Sequence, residues 1–170
     1  MASSVTNVKI GVCSVTFKGT DLGYTKGGAV VTYEPDLHEV TVDRFGSTPL
    51  DKVLIGERLK VKVALAEWAI ATLQALIPSA SSGTTKTTLG GLVGDRMNTA
   101  AGLLVLHPVA NAVGTRTEDV VLYKAIATSP VEMKFMVDDE RVYEVEFEAL
   151  IDESKADGAQ LGLIGDSAGA

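Results

Sequence analysis

Residues Arg58 to Leu65 alternate without a break. Leu59, Val61, Val63 and Leu65 share one parity, and Arg58, Lys60 and Lys62 share the other. Successive strand residues point to opposite faces, so the pattern predicts a half-buried strand with an apolar face and a basic face. Just past it, Leu65, Trp68, Ala69, Leu73 and Leu76 follow helical spacing as far as Pro78. That predicts a flanking helix over 67–77, with Glu67 in its first turn at the positive end of the helix dipole. About three turns cannot stand alone in water, so the helix must pack on the sheet, with Trp68 as its largest core anchor.

This strand and helix end the stretch Gly19 to Glu67, around which the chain is organised. Lys18 to Gly28 carries four glycines and reads as a turn region. Ala29 to Glu34 is β-branched and aromatic, Pro35–Asp36 breaks the run, and Glu39 to Asp43 alternates again. These two runs predict a hairpin. Arg44 to Glu57 holds Gly46, Pro49 and Gly56 and reads as a loop, yet Val53, Leu54 and Ile55 form an apolar triplet inside it. An exposed triplet needs a cover. Either the loop folds back on its own core or a second subunit covers it.

Elsewhere the chain is short strands and turns. Val8 to Phe17 reads as a first strand with a change of parity at Cys13, from a bulge or from burial on both faces. Ser79 to Arg96 is rich in Ser, Thr and Gly and predicts a second, flexible loop. Ala101 to Leu106 and Val120 to Ala127 read as strands, and Val131 to Val137 with Arg141 to Leu150 as a hairpin. In its second arm Tyr143, Val145, Phe147 and Ala149 face one way, and Glu144, Glu146 and Glu148 the other. The segment 152–170 reads as a C-terminal arm with one short strand at Leu161 to Ile164. With no βαβ rhythm and one helix, the 170 residues predict a single domain. Its expected fold is mainly β, an antiparallel β-sandwich or barrel with one flanking α-helix and long loops.

The motifs for chemistry are missing. GTDLGYTKGG and GTTKTT lack the GK[ST] of a phosphate loop, and GGLVGD is framed by neither strand nor helix. His38 and His107 have no metal-ligand spacing, and GxSxG is absent. The expectation is therefore a protein without catalytic, cofactor-binding or metal residues. Cys13, the single cysteine, sits in an apolar run and reads as a small core residue. The formal charge of −7 argues against a basic nucleic-acid reader and suits a surface along which DNA slides without being gripped. The acidic ladder Glu144, Glu146 and Glu148 reads as a solvated face or as an acidic channel wall, and Lys60 and Lys62 offer a rival lining. No apolar run approaches the ~20 residues of a membrane span, and no secretory pattern opens the chain.

Five segments in order resemble the major tail tube proteins of tailed bacteriophages. They are LGYTKGGAVVTYEPDLHEVTVDRFGSTPLD at Leu22 to Asp51, VKVALAE at Val61 to Glu67, LLVLHP at Leu103 to Pro108, VVLYKAIA at Val120 to Ala127 and DDERVYEVEFEALID at Asp138 to Asp152. The specificity lies in the collinear set; the loop at 79–96 and the last dozen residues match least. The resemblance implies hexameric rings whose inner sheets join into one β-barrel. The rings stack into a hollow tube through long loops and terminal arms, so that 44–57, with Val53, Leu54 and Ile55, becomes a stacking loop. It implies as partners further copies of the chain, a tape-measure protein, a tail tip or baseplate initiator, a tail terminator and the passing DNA. It implies assembly in the host cytoplasm and residence in the virion. Tubes of type VI secretion and contractile injection systems use the same fold and are the nearest alternative. A monomeric β-sandwich binding module is the alternative from another class.

Overall fold

The computed structural model describes residues 9, 11–67, 69–91, 93–112, 114–133, 135, 137–138 and 140–168, with backbone alone at 81 and 82. Trp68 and residues 1–8 lie outside the described residues. The elements in chain order are β1 (Cys13–Phe17), β2 (Thr20–Asp21), β3 (Thr25–Val40), β4 (Asp51–Leu65), α1 (Ile70–Leu76), β5 (Ser81–Ser82), β6 (Thr87–Thr88), β7 (Gly102–Pro108), β8 (Asp119–Ala127), β9 (Tyr143–Leu150) and β10 (Gly162–Gly165). The fold is mainly β with one helix, as expected. An eight-stranded antiparallel sheet runs in the order β2-β1-β7-β8-β9-β4-β3, and β10 joins it along β8.

The sheet is strongly curled. Phe17 of β1 and Phe147 of β9 bring their rings within 5.0 Å, although two strands lie between them. In a flat sheet three strand spacings would separate their backbones by roughly 14 Å. The concave face gathers Val15, Phe17, Leu104, Leu122, Val145 and Phe147 around Leu59, Val61, Val63 and Leu65. The apolar parity of β4 is thus buried, as its alternation predicts. The far strands β1 and β3 approach one another, but among the described residues no ladder joins them, so the sheet stays unclosed.

Four local expectations are corrected. First, Pro35–Asp36 does not break the chain: β3 runs continuously from Thr25 to Val40 against β4. Proline is tolerated because β3 is an edge strand, where a missing N–H need not cost a ladder bond. Second, residues 51–57 of the expected loop belong to β4, and only 41–50 connect the two strands. Third, 131–137 forms no strand among its described residues. β9 is flanked by β4 on one side and β8 on the other, and Thr128 and Ser129 bond to the backbone of Glu146 just beyond β8. Both edges of β9 are thus taken over most of its length, which leaves a hairpin partner at most Tyr143 to Val145 on one side. Fourth, α1 begins at Ile70, three residues late. The N–H of Ala66 bonds to the C=O of Tyr24 and keeps the chain extended, and Ala69 supplies no side-chain cap. Glu67 therefore lies before the helix, beside Gly23, and not in its first turn.

The first strand is shorter than expected, starting at Cys13, with Val8 and Ile10 outside the described residues. Cys13 is half-buried and packs against the core, and burial raises its thiol pKa. The loop at 79–96 contains the small β5–β6 ladder, held to α1 by Gln74, whose Nε2 donates to the C=O of Gly83 at 2.9 Å.

β10, the strand expected near Leu161–Ile164, lies flat on the sheet because it begins with glycine. A Cβ on Gly162 would sit 2.3 Å from the carbonyl oxygen of Val121 and 2.9 Å from Leu59 Cδ2. Gly162→Ala is expected to push β10 off β8 and to cost about 1–3 kcal/mol, the usual penalty of overpacking. Urea denaturation, with hydrogen exchange at residues 119–122, measures both effects.

Candidate assembly surfaces

Three features stand outside the apolar core: a projecting hairpin, a charged sheet face and a buried polar cluster.

The hairpin is the distal half of β3 and β4. Past the pair Tyr33↔Leu59 the two strands continue to Val40↔Asp51. Seven further residues of β3 and, with the bulge, eight of β4 extend it by roughly 24 Å. Almost every residue there is exposed, including Leu37, Leu54 and Ile55, and so are Phe45 and Leu50 in the connection. Between Asp36↔Gly56 and Leu37↔Leu54 the register shifts, so Ile55 is the extra residue of a β-bulge. Leu54 lies opposite Leu37 and Val53 opposite His38. The expected triplet is therefore exposed, but on a strand; Val53 and Ile55 are β-branched and suit one. Polar pairs dress the hairpin: Tyr33 Oη donates to Glu57 Oε1 at 2.8 Å, and Lys52 pairs with Glu39 at 2.8 Å. The Lys52 hydrogen bond lowers the Glu39 pKa, but exposed pairs of this kind contribute little stability.

The charged face lies on the convex side of β3, β4 and β9. The register sets Lys60 opposite Glu148 and Lys62 opposite Glu146. Lys62 pairs with Glu144 at 2.7 Å and Lys60 with Glu34 at 3.2 Å. The hydrogen bond and charge of Glu144 raise the Lys62 pKa. The two rival linings read from the sequence are thus one surface: a comb of alternating sign, with acid and base on neighbouring strands. Lys62, Ser129, Glu132, Glu144 and Glu146 border a shallow hollow of about 250 Å³ on it.

The buried cluster joins three distant parts of the chain. Asp119, at the start of β8, is 2% exposed. His107 Nδ1 lies 2.6 Å from its Oδ1, and Ser167 Oγ donates to its Oδ2 at 2.5 Å. The N–H of Ser167 bonds to the C=O of Arg116. Burial alone would raise the carboxyl pKa. The hydrogen bonds from Ser167 and His107, with the charges of His107 and Arg116, outweigh it and hold the carboxyl below its ordinary pKa. The carboxylate stands in the middle of this Ser–Asp–His chain. The serine proton is committed to the carboxylate and not to the imidazole, so the arrangement lacks the nucleophile–base contact of hydrolytic triads. What it does is fasten the segment after β10 to the end of β8. The sequence gives His107 no metal-ligand spacing, and its pattern singles out neither Asp119 nor Ser167. The available signal was one acidic residue opening the apolar run Val120 to Ala127.

Among the described residues no group of three or more His, Cys, Asp or Glu side chains could hold a metal ion, and no helix is long and apolar enough to cross a membrane. Compared with models of known protein families and with curated protein sequences, the chain matches none.

The depressed Asp119 pKa sets a direction. A carboxyl that is more acidic folded than unfolded adds stability above its unfolded pKa and loses it as pH falls through the folded value. Unfolding free energy is therefore expected to decline as pH drops below about 4. Asp119→Asn should weaken that acid limb, and Ser167→Ala should cost about 1–3 kcal/mol at neutral pH by stranding a buried acceptor. Urea unfolding across a pH series measures both.

Proposed function

We propose that this chain is a structural subunit that assembles with copies of itself into a hollow tube, in the manner of a phage tail tube. The observation that carries the reading is the β3–β4 hairpin. It extends beyond the core, keeps its ladder, and displays Leu37, Phe45, Leu50, Val53, Leu54 and Ile55, which are exposed among the described residues. A projecting apolar strip of this kind is an aggregation hazard for a monomer and a joint for an oligomer. A head-to-tail contact of the strip with a different patch on the next copy repeats without end, which is how one soluble chain builds a tube.

In this reading the comb of Lys60, Lys62, Glu144, Glu146 and Glu148 lines the bore. Its positive groups are already paired with carboxylates, so passing phosphates meet no unpaired basic track on it and slide. A tape-measure protein fills the bore during assembly, and tip and terminator complexes cap the tube. The collinear resemblance of residues 22–51, 61–67, 103–108, 120–127 and 138–152 supports the same class.

Negative-stain electron microscopy across a concentration series, with light scattering, tests the proposal. Rings or hollow tubes of uniform width are expected; a strict monomer from micromolar to millimolar overturns it. Val53→Asp and Ile55→Asp are expected to stop elongation while changing monomer stability by about 1 kcal/mol or less, since both side chains are exposed.

A further inference from the structure

The line of β9 does not end at Leu150. Lys124 pairs with Leu150 and Leu122 with Gly162, so β10 continues β9 along β8 after the excursion 151–161. The N–H of Asp152 bonds to the C=O of Gln160 at 3.0 Å and ties the base of that excursion. β4 follows the line only as far as Lys60↔Glu148. Beyond that point, among the described residues, β4 pairs with β3 alone and β10 with β8 alone. The hairpin therefore leaves the sheet near Leu59, and a notch opens between β4 and β10. Tyr33, Glu57 and Leu59 on one side and Leu161, Gly162 and Ile164 on the other border a hollow of about 250 Å³ in it.

The two sides of the notch match in hydrogen bonding and in side-chain face. The N–H of Tyr123 bonds to the C=O of Leu161, so Leu161 and Leu163 bond toward β8, and alternation turns the N–H and C=O of Gly162 and Ile164 toward β4. The N–H of Thr128 bonds to the C=O of Glu146, so by the same alternation Phe147 bonds toward β4, opposite Val61. The odd residues of β4 thus turn toward the notch as far as Glu57, and the bulge at Ile55 hands that orientation to Leu54. Leu54 shares a face with its partner Leu37, and Ile164 with Val120. Both faces are the core side, to which Leu59, Val31 and Val120 also turn. Side by side, Val120, Ile164, Leu54 and Leu37 would form one apolar row across four strands. The notch cuts that row in the middle, and Ile164 is 67% and Leu54 49% exposed.

We propose that the hairpin is a strap that closes this notch in the unassembled subunit. It swings about Arg58 until β4 pairs with β10, Glu57 beside Gly162 and Leu54 beside Ile164, and it opens when a second copy takes its apolar strip. The withholding of the strip rests on the self-assembly reading above; the closure itself is intramolecular. Contact exists already at the apex, where a Cβ on Gly162 would lie 2.9 Å from Leu59 Cδ2. Closure gives the outer half of β4 a second ladder and sets Leu54 against Ile164, so the subunit does not carry an open apolar edge through solution. The hairpin is the element that can swing, because its outer half has only β3 and exposed polar pairs such as Lys52–Glu39 to hold it.

Directly opposite residues of an antiparallel pair have Cα atoms about 4.5–5.5 Å apart, within reach of a disulfide. A chain carrying Cys13→Ala, Leu54→Cys and Ile164→Cys is oxidised as the free subunit. A control carries Val53→Cys in place of Leu54→Cys, on the opposite face of the same strand. An intrachain disulfide is expected between positions 54 and 164 and none in the control. The oxidised chain should not elongate, and reduction should restore elongation. Ile164→Asp alone removes the row without a cysteine, and it should speed elongation, by about tenfold for a closed form that holds nine-tenths of the subunits. Tubes from the unaltered chain with no disulfide at 54–164, or with Ile164→Asp elongating no faster, would overturn the strap and leave self-assembly standing. The disulfide without assembly of the unaltered chain would overturn the self-assembly reading and leave only the closure. Neither disulfide nor assembly would overturn both.

Discussion

Everything else in the molecule is positioned by the register of β4 against its two neighbours. Leu59, Val61, Val63 and Leu65 are buried, and each such side chain contributes about 1.5–3 kcal/mol on leaving water. The opposite parity carries Arg58, Lys60 and Lys62, which meet Glu34 on β3 and the glutamates of β9. A one-residue slip would turn the lysines into the core and the valines out. Core burial and charge pairing therefore select the same register, and the charged face is a consequence of it.

The hairpin follows from the length of the same strand. β4 is longer than the core it crosses, and so is β3. Their inner halves lie on the apolar interior; their outer halves have only each other. Ladder hydrogen bonds and exposed ion pairs hold a hairpin's shape with little free energy to spare. Such a segment opens at far lower cost than the core strands and gains most from a partner. The bulge at Ile55 bends it and leaves that side chain out of cross-strand pairing.

Closure at the other end relies on polar contacts. β10 has four residues and Ile164 faces solvent, so it brings little apolar burial to β8. Asp119 supplies the attachment, accepting from Ser167 across 48 residues and from His107 on β7. A buried network whose members are all bonded specifies one arrangement of the chain end more sharply than a few apolar contacts would.

Much of this was legible in one dimension. The alternation at 58–65 and at 143–150 locates two strands and the parity each buries, because a period of two is a local property of the backbone. The class of fold, the single helix and the short strand near residue 163 followed from the same patterning. The candidate site was legible only in part. Val53, Leu54 and Ile55 read as an apolar triplet in need of a cover, from its own core or from a second subunit, and fall in an expected loop, because Pro49, Gly56 and Pro35 signal breaks locally. Pro35 is tolerated because β3 is an edge strand, Gly56 sits on β4 beside the bulge and Pro49 lies in the connection; edge position is decided by tertiary pairing. The expected hairpin at 131–137 fails for a matching reason: β4 and β8 take most of its partner's two edges. By itself, then, the sequence determined the fold class and which parity of these two strands is buried. Tertiary structure alone decided which edges stay free, that the basic and acidic residues share one face, and that His107, Asp119 and Ser167 meet. Hydrophobic period is written in neighbouring residues, whereas edges and long-range pairs exist only once the sheet has curled.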